Sequence, residues 1–471
     1  MNNFRIEKDI IGDKEVPINA YYGVQTLRGK ENFTISYQTL HKAMINGLAI
    51  VKKACAITNY NAGLLESDKK DAIVQACEEI LEGNFYDQFI SDPIQGGAGT
   101  TANMNANEVI ANRATEILGG KLGSYEFVHP NDHVNMGQST NDVYPTAGKL
   151  GALMLLANLI EQIEKLKKSM ENKAEEFKSV LKMGRTQLQD AVPITLGQEF
   201  KSYASVLNRD INRIKNASNN IKYINMGASA IGTGINVDTD YFKNIVPEIA
   251  KLSNLDLKQS LDLIDGTSNQ DSIAELSSAI KVLAINVSKI SNDLRLMSSG
   301  PKTLIGDINL PPRQNGSSIM PGKVNPVIPE VVNQIAFRVI GNDMTISMAA
   351  EGGQLQLNAF EPVMFYSLYQ SIEMMTRGLK TLRINCVDGI TANTLKLKDD
   401  VDKSIGIVTA LVPHIGYTKA TEIAKESLRT GKSIRSLVEE KNLLPKSSID
   451  EILDTNAMTK PGIAAEYLIR K

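Results

Sequence analysis

Apolar residues recur at helical spacing through the middle of the chain. The clearest run alternates steps of three and four residues over about seven turns, and consists of Ile273, Leu276, Ile280, Leu283, Val287, Ile290, Leu294 and Met297. Steps of this kind form the seam of long helices that pack nearly parallel in bundles and coiled coils. The pattern therefore predicts one long, deeply buried helix through this stretch.

Other runs predict further long helices. One runs from Leu156 to Phe177, and a second follows Thr195, which forms a capping-box pattern with Gln198. Helical spacing also marks residues 41–81, 103–118, 330–350 and 365–382. Alternating runs long enough for strands are lacking, so the predicted fold class is all-α, with a central bundle of long helices and little β structure.

The two ends of the chain have a different pattern. Residues 1–40 contain Pro17, Gly23 and Gly29 without a sustained helical period, which predicts an irregular arm. Beyond Thr391 the apolar runs shorten between recurring glycines and prolines, as in a small domain of short helices. We therefore expect three domains, over residues 1–141, 142–395 and 396–471.

Composition narrows the class of partner. The 51 basic and 53 acidic residues give a net charge of -2, tryptophan is absent, and aromatic residues make up only 5% of the chain. There is no polybasic region for a phosphate backbone and few rings on which bases could stack. We expect no nucleic-acid partner, whereas a small anion remains compatible with the sequence.

The cysteines and the apolar segments point to a cytoplasmic protein. Cys55, Cys77 and Cys386 are widely spaced, odd in number and without zinc-site spacing, so neither a disulfide framework nor a metal site is expected. The stretch MNNFRIEKDI has charges where a signal peptide needs apolar residues. The most apolar stretch, GALMLLANLI, stops at Glu161, about half the length of a membrane span.

Four polar stretches interrupt the helical pattern and share one chemistry. They offer hydroxyl and amide donors: Thr100 and Thr101; Ser139, Thr140 and Asn141; Thr186 and Gln187; and Ser317, Ser318, Lys323 and Asn325. If these stretches converged, they would bind a small polyanion by many directed hydrogen bonds. Taken singly, each is also compatible with an ordinary turn or surface loop. A Ser-His-Asp triad fits poorly, because no histidine adjoins a candidate serine and no GxSxG pattern occurs.

The stretch GSSIMPGKVNP, residues 316–326, is the most distinctive of the four. Asn325 and Pro326 precede a long apolar-periodic run, so we expect them to be the N-cap and the first residue of a helix. The start of a helix carries unpaired N–H groups and a partial positive charge, and Lys323 adds a full one. The loop is therefore suited to a carboxylate.

These motifs resemble those of the fumarase/aspartase superfamily, and the resemblance covers nearly the whole chain. Besides GSSIMPGKVNP, it rests on EKDIIGDKEVPINAYYGVQTLRGKENF, GAGTTANMNANEVIANRA, HPNDHVNMGQSTND and GRTQLQDAVP, in the superfamily's order. The segments QLQLNAFEPVM and GRTQLQDA are most similar to the ammonia-lyase branch. The resemblance implies an all-α homotetramer whose active sites are each shared by three subunits.

The same resemblance implies reversible deamination of L-aspartate to fumarate and ammonia. Ser317 would be the general base that takes the Cβ proton, with its alkoxide stabilised by Lys323 or loop N–H groups. Lys323, Asn325 and Thr186 would hold the α-carboxylate, and Asn141 and Gln187 would lie near the amino group. The β-carboxylate would be held by Thr100, Ser139, Thr140 and Ser318. No cofactor and no metal are expected.

Gln187 bears on the leaving group. The fumarase pattern has a histidine at this place, and Glu330 matches the glutamate that pairs with it. Glutamine cannot donate a proton to a leaving oxygen as an imidazolium can, whereas an ammonium group leaves as neutral ammonia. Gln187 thus favours C–N cleavage, although some members of the ammonia-lyase branch also keep histidine there.

Several alternatives stay open on the sequence. A class II fumarase that hydrates fumarate is the second hypothesis, and a non-catalytic helical scaffold is the third. His129, Asn131 and Asp132 match a second dicarboxylate site of fumarases, or form an ordinary surface loop. Glu330 equally suits a plain helix N-terminus, where an acidic side chain is stabilising.

Overall fold

In the computed structural model, residues 3–469 are described and form two compact units. The first unit lies within Met1–Glu161, Asp210–Ala284 and Ile335–Thr376. The second lies within Gln162–Arg209, Ile285–Gln334 and Arg377–Lys471. The predicted division into domains 1–141, 142–395 and 396–471 stays a prediction.

Helices dominate the fold, as predicted. Within residues 3–469 there are sixteen α-helices: α1 (Val24–Asn32), α2 (Lys42–Asn61), α3 (Ser67–Leu81), α4 (Thr100–Ile117), α5 (Thr140–Glu176), α6 (Leu196–Asn220), α7 (Thr239–Ser253), α8 (Leu263–Ser268), α9 (Asp271–Met297), α10 (Val327–Glu351), α11 (Glu361–Asn385), α12 (Thr394–Lys403), α13 (Val412–Ile415), α14 (Tyr417–Thr430), α15 (Ile434–Glu440) and α16 (Lys446–Ile452). Short 3₁₀ turns cover Tyr86–Gln88, Val387–Gly389, Ile405–Leu411, Ala457–Thr459 and Glu466–Leu468, and a π-helical turn covers Pro130–Val134.

The strands within residues 3–469 are short and form four two-stranded sheets. They are β1 (Phe4–Lys8), β2 (Asp13–Pro17), β3 (Leu181–Thr186), β4 (Gln189–Thr195), β5 (Tyr223–Ile224), β6 (Lys258–Gln259), β7 (Ile308–Asn309) and β8 (Thr391–Ala392). The pairs β1–β2, β3–β4 and β7–β8 are antiparallel, and β5–β6 is parallel. The expectation of little β structure is confirmed.

Burial explains why the predicted helices form. All eight seam residues of α9 are at most 5% exposed, and burying such side chains stabilises the fold by about 1.5–3 kcal/mol each. The capping box is also present at the start of α6. Thr195 N–H donates to Gln198 Oε1 at 2.9 Å, and Gln198 N–H donates to Thr195 Oγ1 at 3.1 Å.

The prediction of an irregular arm over residues 1–40 was wrong where β1, β2 and α1 form. Asp9 closes the β1–β2 turn, because its Oδ1 accepts the N–H groups of Ile11 and Gly12. The start of α1 is held by Glu108, whose carboxylate accepts the N–H groups at positions 23, 25 and 26. These bonds come from α4, so a local pattern in the arm could not reveal them.

Two helix starts differ from the prediction: α5 begins sixteen residues before the run predicted from Leu156, and α10 begins one residue after Pro326. α5 begins at Thr140, so that Thr140 and Asn141 belong to its first turn. α10 begins at Val327, and the side chain of Asn325 donates to Gly316 O instead of capping the helix.

Helix α5 is long and apolar enough, by length and composition, to cross a membrane. Within its apolar window, 72% of the residues are buried inside the protein. Such burial is typical of a helix in a protein core, where apolar side chains pack against other elements of the same chain.

Candidate functional site

Two hydrogen bonds among Gly316, Lys323 and Asn325 close the base of the loop of residues 316–326. Gly316 N–H donates to Lys323 O at 2.9 Å, and Asn325 Nδ2 donates to Gly316 O at 2.7 Å. A Cβ atom on Gly316 would lie 2.3 Å from Lys323 O, so only glycine fits there. The two ends of the loop are thus held together while its middle is exposed.

Ser317 lies just inside this closure. Its Oγ accepts the backbone N–H groups of Ile319 at 3.2 Å and Met320 at 2.9 Å. Donors aimed at an oxygen favour its negatively charged form. The side chains of Ser318 and Lys323 are exposed in the same loop, and Lys323 brings a cation. The loop therefore combines a hydroxyl that can become an alkoxide with a carboxylate-binding charge.

Thr186 and Gln187 lie at the tip of the β3–β4 hairpin. Gln187 and Leu188 form a two-residue turn, with φ values of 52° and 62°. Such turns normally carry Asn-Gly, because side chains disfavour positive φ at both positions. Each strained residue costs on the order of 1–3 kcal/mol, and such strain is often found at functional sites. No hydrogen bond joins this tip to the 316–326 loop among the residues that the structure describes.

Ser139, Thr140 and Asn141 come together at the N-terminus of α5. Asn141 N–H donates to Ser139 Oγ at 3.2 Å, and Ser139 N–H donates to Asp142 Oδ1 at 3.0 Å. This is a capping box, and the pattern Ser-x-x-Asp in the sequence could have located it. Asn141 Nδ2 donates to Ala230 O at 2.7 Å. The turn therefore has fixed hydroxyl and amide positions.

Behind this turn lies a buried polar network that the sequence analysis missed. The fully buried Lys52 donates to Asn135 Oδ1 at 2.9 Å and to Gln138 Oε1 at 2.8 Å. Asn103 Nδ2 bridges Asn135 Oδ1 at 3.3 Å and Thr140 Oγ1 at 3.1 Å. The network thus links a buried cation to Thr140 through two amides.

Burial dominates the electrostatics of this network. Burial lowers the pKa of Lys52 to about 8 and raises the pKa of Asp142 to about 7. Lys52 and backbone N–H groups, including those of Ser139 and Ser229, act in the opposite direction on Asp142 by favouring its carboxylate. The two groups come from segments distant in sequence, so spacing alone gives no signal for them.

Thr100 opens α4 and is exposed. Its Oγ1 donates to Gly97 O at 2.7 Å. Thr100 shares a cavity of about 720 Å³ with His129 and Asn131. His129 Nδ1 accepts the N–H groups of Asn131 and Asp132, and lies 3.2 Å from Asp132 Oδ2. One predicted substrate residue and the predicted second-site residues are therefore neighbours.

Glu330 lies in the first turn of α10, where a carboxylate suits the helix N-terminus. Within residues 3–469, no group of three or more His, Cys, Asp or Glu side chains is placed to hold a metal ion. The roles predicted for all these residues, and the expected lack of a metal, stay predictions.

Comparisons with known proteins identify the family. A family model described as a lyase matches residues 12–341, and one described as the fumarase C C-terminus matches residues 407–460. The aspartate ammonia-lyase of Bacillus subtilis (strain 168) is 53% identical over 468 residues, which cover 99% of this chain and 98% of that protein.

Solved structures agree in fold. A fumarate lyase:delta crystallin from Brucella melitensis bound to cobalt has a TM-score of 0.95 and 46% identity, covering 97% of this chain and 100% of that one. A recombinant class II fumarase from Schistosoma mansoni has a TM-score of 0.94 and 34% identity, and the match covers 97% of this chain and 99% of that one. The chain therefore belongs to the fumarase/aspartase superfamily of lyases, as its motifs predicted.

Proposed function

We propose that the protein is an aspartate ammonia-lyase, which converts L-aspartate reversibly to fumarate and ammonia. The observation that carries this proposal is the 53% identity with the Bacillus subtilis aspartate ammonia-lyase along 99% of the chain. The class II fumarase from Schistosoma mansoni shares less, at 34%. The higher identity, together with the segments QLQLNAFEPVM and GRTQLQDA, thus favours an ammonia-lyase over a fumarate hydratase.

Ser317 is the proposed general base. Its Oγ takes the proton from Cβ of aspartate, and the electron pair left on Cβ moves into the β-carboxylate, which becomes an aci-carboxylate. That pair then forms the Cα–Cβ double bond while the C–N bond breaks and ammonia leaves. The N–H groups of Ile319 and Met320 support this role, because they stabilise the alkoxide that a serine base requires.

Hydroxyl and amide donors hold the two carboxylates in this proposal. The α-carboxylate binds Lys323, Asn325 and Thr186, and the β-carboxylate binds Thr100, Ser139, Thr140 and Ser318. Ser139 and Thr140 accept bonds from Asn141 N–H and Asn103 Nδ2, so their own hydrogens can point to the substrate. Donors placed where charge develops contribute about 3–4 kcal/mol each to the transition state.

Gln187, with Asn141, lies near the amino group in this proposal. The substrate's ammonium group leaves as neutral ammonia and needs no acid, so an amide that only hydrogen-bonds is sufficient. The reaction moves a proton from the substrate to Ser317 and an electron pair from the Cβ–H bond through Cα–Cβ to the departing nitrogen, with no net oxidation or reduction. We therefore include no redox cofactor in the mechanism.

The site is proposed to form in a homotetramer, with loops from three subunits at each site. One face of α10 supports assembly, because it exposes an apolar stripe of Phe337, Ile340, Met344 and Met348, which are 40–67% exposed. The opposite face of α10 is buried against its own chain. A helix that is apolar on both faces is typical of an interface. Met344→Lys should lower the mass in solution, whereas Met344→Leu should not, as measured by light scattering.

A cytoplasmic location is also proposed. Cys55, Cys77 and Cys386 are all buried and free. Free buried thiols are typical of a reducing compartment.

The activity is tested by following fumarate with purified protein and either L-aspartate or L-malate. We expect fumarate from L-aspartate and little or none from L-malate. Turnover of L-malate alone would favour the fumarase alternative, and turnover of neither would favour the scaffold alternative.

A further inference from the structure

A charged cluster joins two residues of strand β3 to the buried Asp307. Asp307 is fully buried, and its Oδ2 lies 3.0 Å from Lys182 Nζ and accepts a bond from Arg185 Nη1 at 2.8 Å. Lys182, which is 3% exposed, also donates to Glu199 Oε2 at 2.6 Å. Lys182 and Asp307 are buried, whereas Glu199 and Arg185 are partly exposed, and Arg185 Nε also lies 4.0 Å from Asp190 Oδ1. Buried ion pairs of this kind add little net stability compared with apolar packing.

Asp307 is a fixed point of the backbone. Its N–H donates to Met297 O at 2.7 Å, and its own carbonyl accepts Asn393 N–H at 3.0 Å. It directly precedes β7, which pairs with β8. The carboxylate therefore has a position that is set from three sides.

Arg185 connects this fixed point to the hairpin tip. It is the residue before Thr186, and the β3–β4 pairing has an irregularity between Met183 and Arg185. A bulge at such a place re-aims the following side chain. The tip itself holds Gln187 and Leu188 at positive φ, a conformation that persists only when the surrounding structure over-determines it.

We infer that Asp307 is a positioning residue for the active site: by holding Arg185, it fixes the Thr186–Gln187 tip against the substrate. The inference rests on the proposed function, in which Thr186 binds the α-carboxylate and Gln187 lies near the amino group. Loss of the Asp307 carboxylate leaves Arg185 with the longer 4.0 Å contact to Asp190, and the strained tip can then relax. The Thr186 hydroxyl and the Gln187 amide are then displaced from the positions at which they bind the substrate and ammonia.

The test is Asp307→Asn, which keeps the shape and removes the charge. We expect the KM for L-aspartate, and in the reverse direction the KM for ammonia, to rise about 10-fold, because small misplacements of positioning groups are costly. A merely structural role would lower the melting temperature and the amount of active protein while leaving both KM values unchanged.

Glu199→Gln is the matched control. It removes the other carboxylate from Lys182 but leaves the Arg185–Asp307 bond intact. We expect both KM values to stay at those of the wild type. An equal rise in KM for Glu199→Gln and Asp307→Asn would overturn the inference, because it would indicate general loosening of the cluster.

Arg185→Lys provides a second route if Asp307→Asn does not fold. It keeps the charge but loses the planar fork of the guanidinium, and we expect the same rise in both KM values. The double variant should add little further, since the two side chains act as one unit. If the wild type is active and Arg185→Lys has the same KM values as the wild type, the inference about Asp307 is overturned while the proposed function stands. A wild type that releases no fumarate from L-aspartate would overturn the proposed function, and this inference with it.

Discussion

Two regions that carry candidate substrate groups are built in opposite ways. The first turn of α5 has its hydroxyls held by a capping box and backed by Lys52, Asn103 and Asn135. The loop of residues 316–326 is held by hydrogen bonds within itself, and its middle exposes apolar side chains. Ile319 is 84% exposed, Met320 48% and Val324 51%.

This difference suggests a division of labour. A turn fixed by a buried network binds without rearranging, so it loses little conformational entropy when the substrate arrives. An exposed loop with few contacts is drawn from the least stable part of the molecule, and such loops order when they close. Within the proposed homotetrameric site, we therefore interpret the α5 turn as the fixed half and the 316–326 loop as the half that orders on the substrate.

The largest expected effect comes from removing the Ser317 hydroxyl, the proposed base in the 316–326 loop. Ser317→Ala should lower kcat by about 10³-fold or more, because a positioned general base contributes about 10²–10⁴-fold. The melting temperature should stay unchanged, since the loop is exposed. Steady-state fumarate formation and thermal unfolding provide the two measurements.

Ser318→Ala is the companion variant. Ser318 is the next residue and a proposed β-carboxylate donor, so its loss should lower kcat/KM by less than the loss of Ser317. An equal effect of the two substitutions would contradict the assignment of Ser317 as the base.

The next effect concerns the free energy of unfolding that depends on Lys52, the buried lysine behind the α5 turn. Burial lowers the pKa of Lys52 from 10.5 to about 8, so between these values the folded protein binds fewer protons than the unfolded chain. Stability therefore rises with pH across this window. Relative to Lys52→Met, the wild type should gain about 3 kcal/mol in the free energy of unfolding from below pH 8 to above pH 10.5. Urea unfolding at several pH values measures the difference.

Lys53→Met is the matched control for this prediction. Lys53 is the adjacent lysine of α2 and pairs with the more exposed Glu78 at 2.7 Å. An exposed pair contributes about 0–1 kcal/mol, so its loss should matter little and show no such rise with pH. A difference between wild type and Lys52→Met that is independent of pH would contradict the buried-charge account.

Periodicity predicted the scaffold of both regions. The α9 seam and the capping box of α6 were confirmed because each depends on residues close together in the chain. The start of α1 was missed because Glu108, far along the sequence, holds it. Helical tendency within residues 24–32 is too weak to be recognised beside Gly23 and Gly29.

The candidate site divides in the same way. The motifs that contain Thr100, Ser139 and Ser317 were visible as unusual polar stretches. The groups behind the Ser139–Thr140 turn were not, because Lys52 and Asn103 act across long sequence separations. The sequence therefore shows the candidate chemical groups but not the buried side chains that hold the α5 turn in a fixed geometry.

The smallest of the three effects comes from the closure of the loop. In Gly316→Ala the new Cβ would lie 2.3 Å from Lys323 O, so the base of the loop must open. We expect kcat/KM to fall about 30-fold, equivalent to about 2 kcal/mol, with unchanged unfolding by urea.

Gly322→Ala separates this clash from general stiffening of the loop. A Cβ there meets nothing within 4 Å, although φ is +81°. The expected cost is about 1 kcal/mol or less in loop conformation. A larger loss of activity in Gly322→Ala than in Gly316→Ala would contradict the proposed closure.

Hydrogen exchange of both regions in one sample, with and without fumarate, tests the central comparison most directly. The account predicts that amides of residues 316–326 exchange quickly in the free protein and become protected with fumarate. Amides of residues 141–143 should be protected in both states. Equal protection of the two regions without ligand, or no gain in residues 316–326 at saturating fumarate, would contradict a site made of a fixed half and an ordering half.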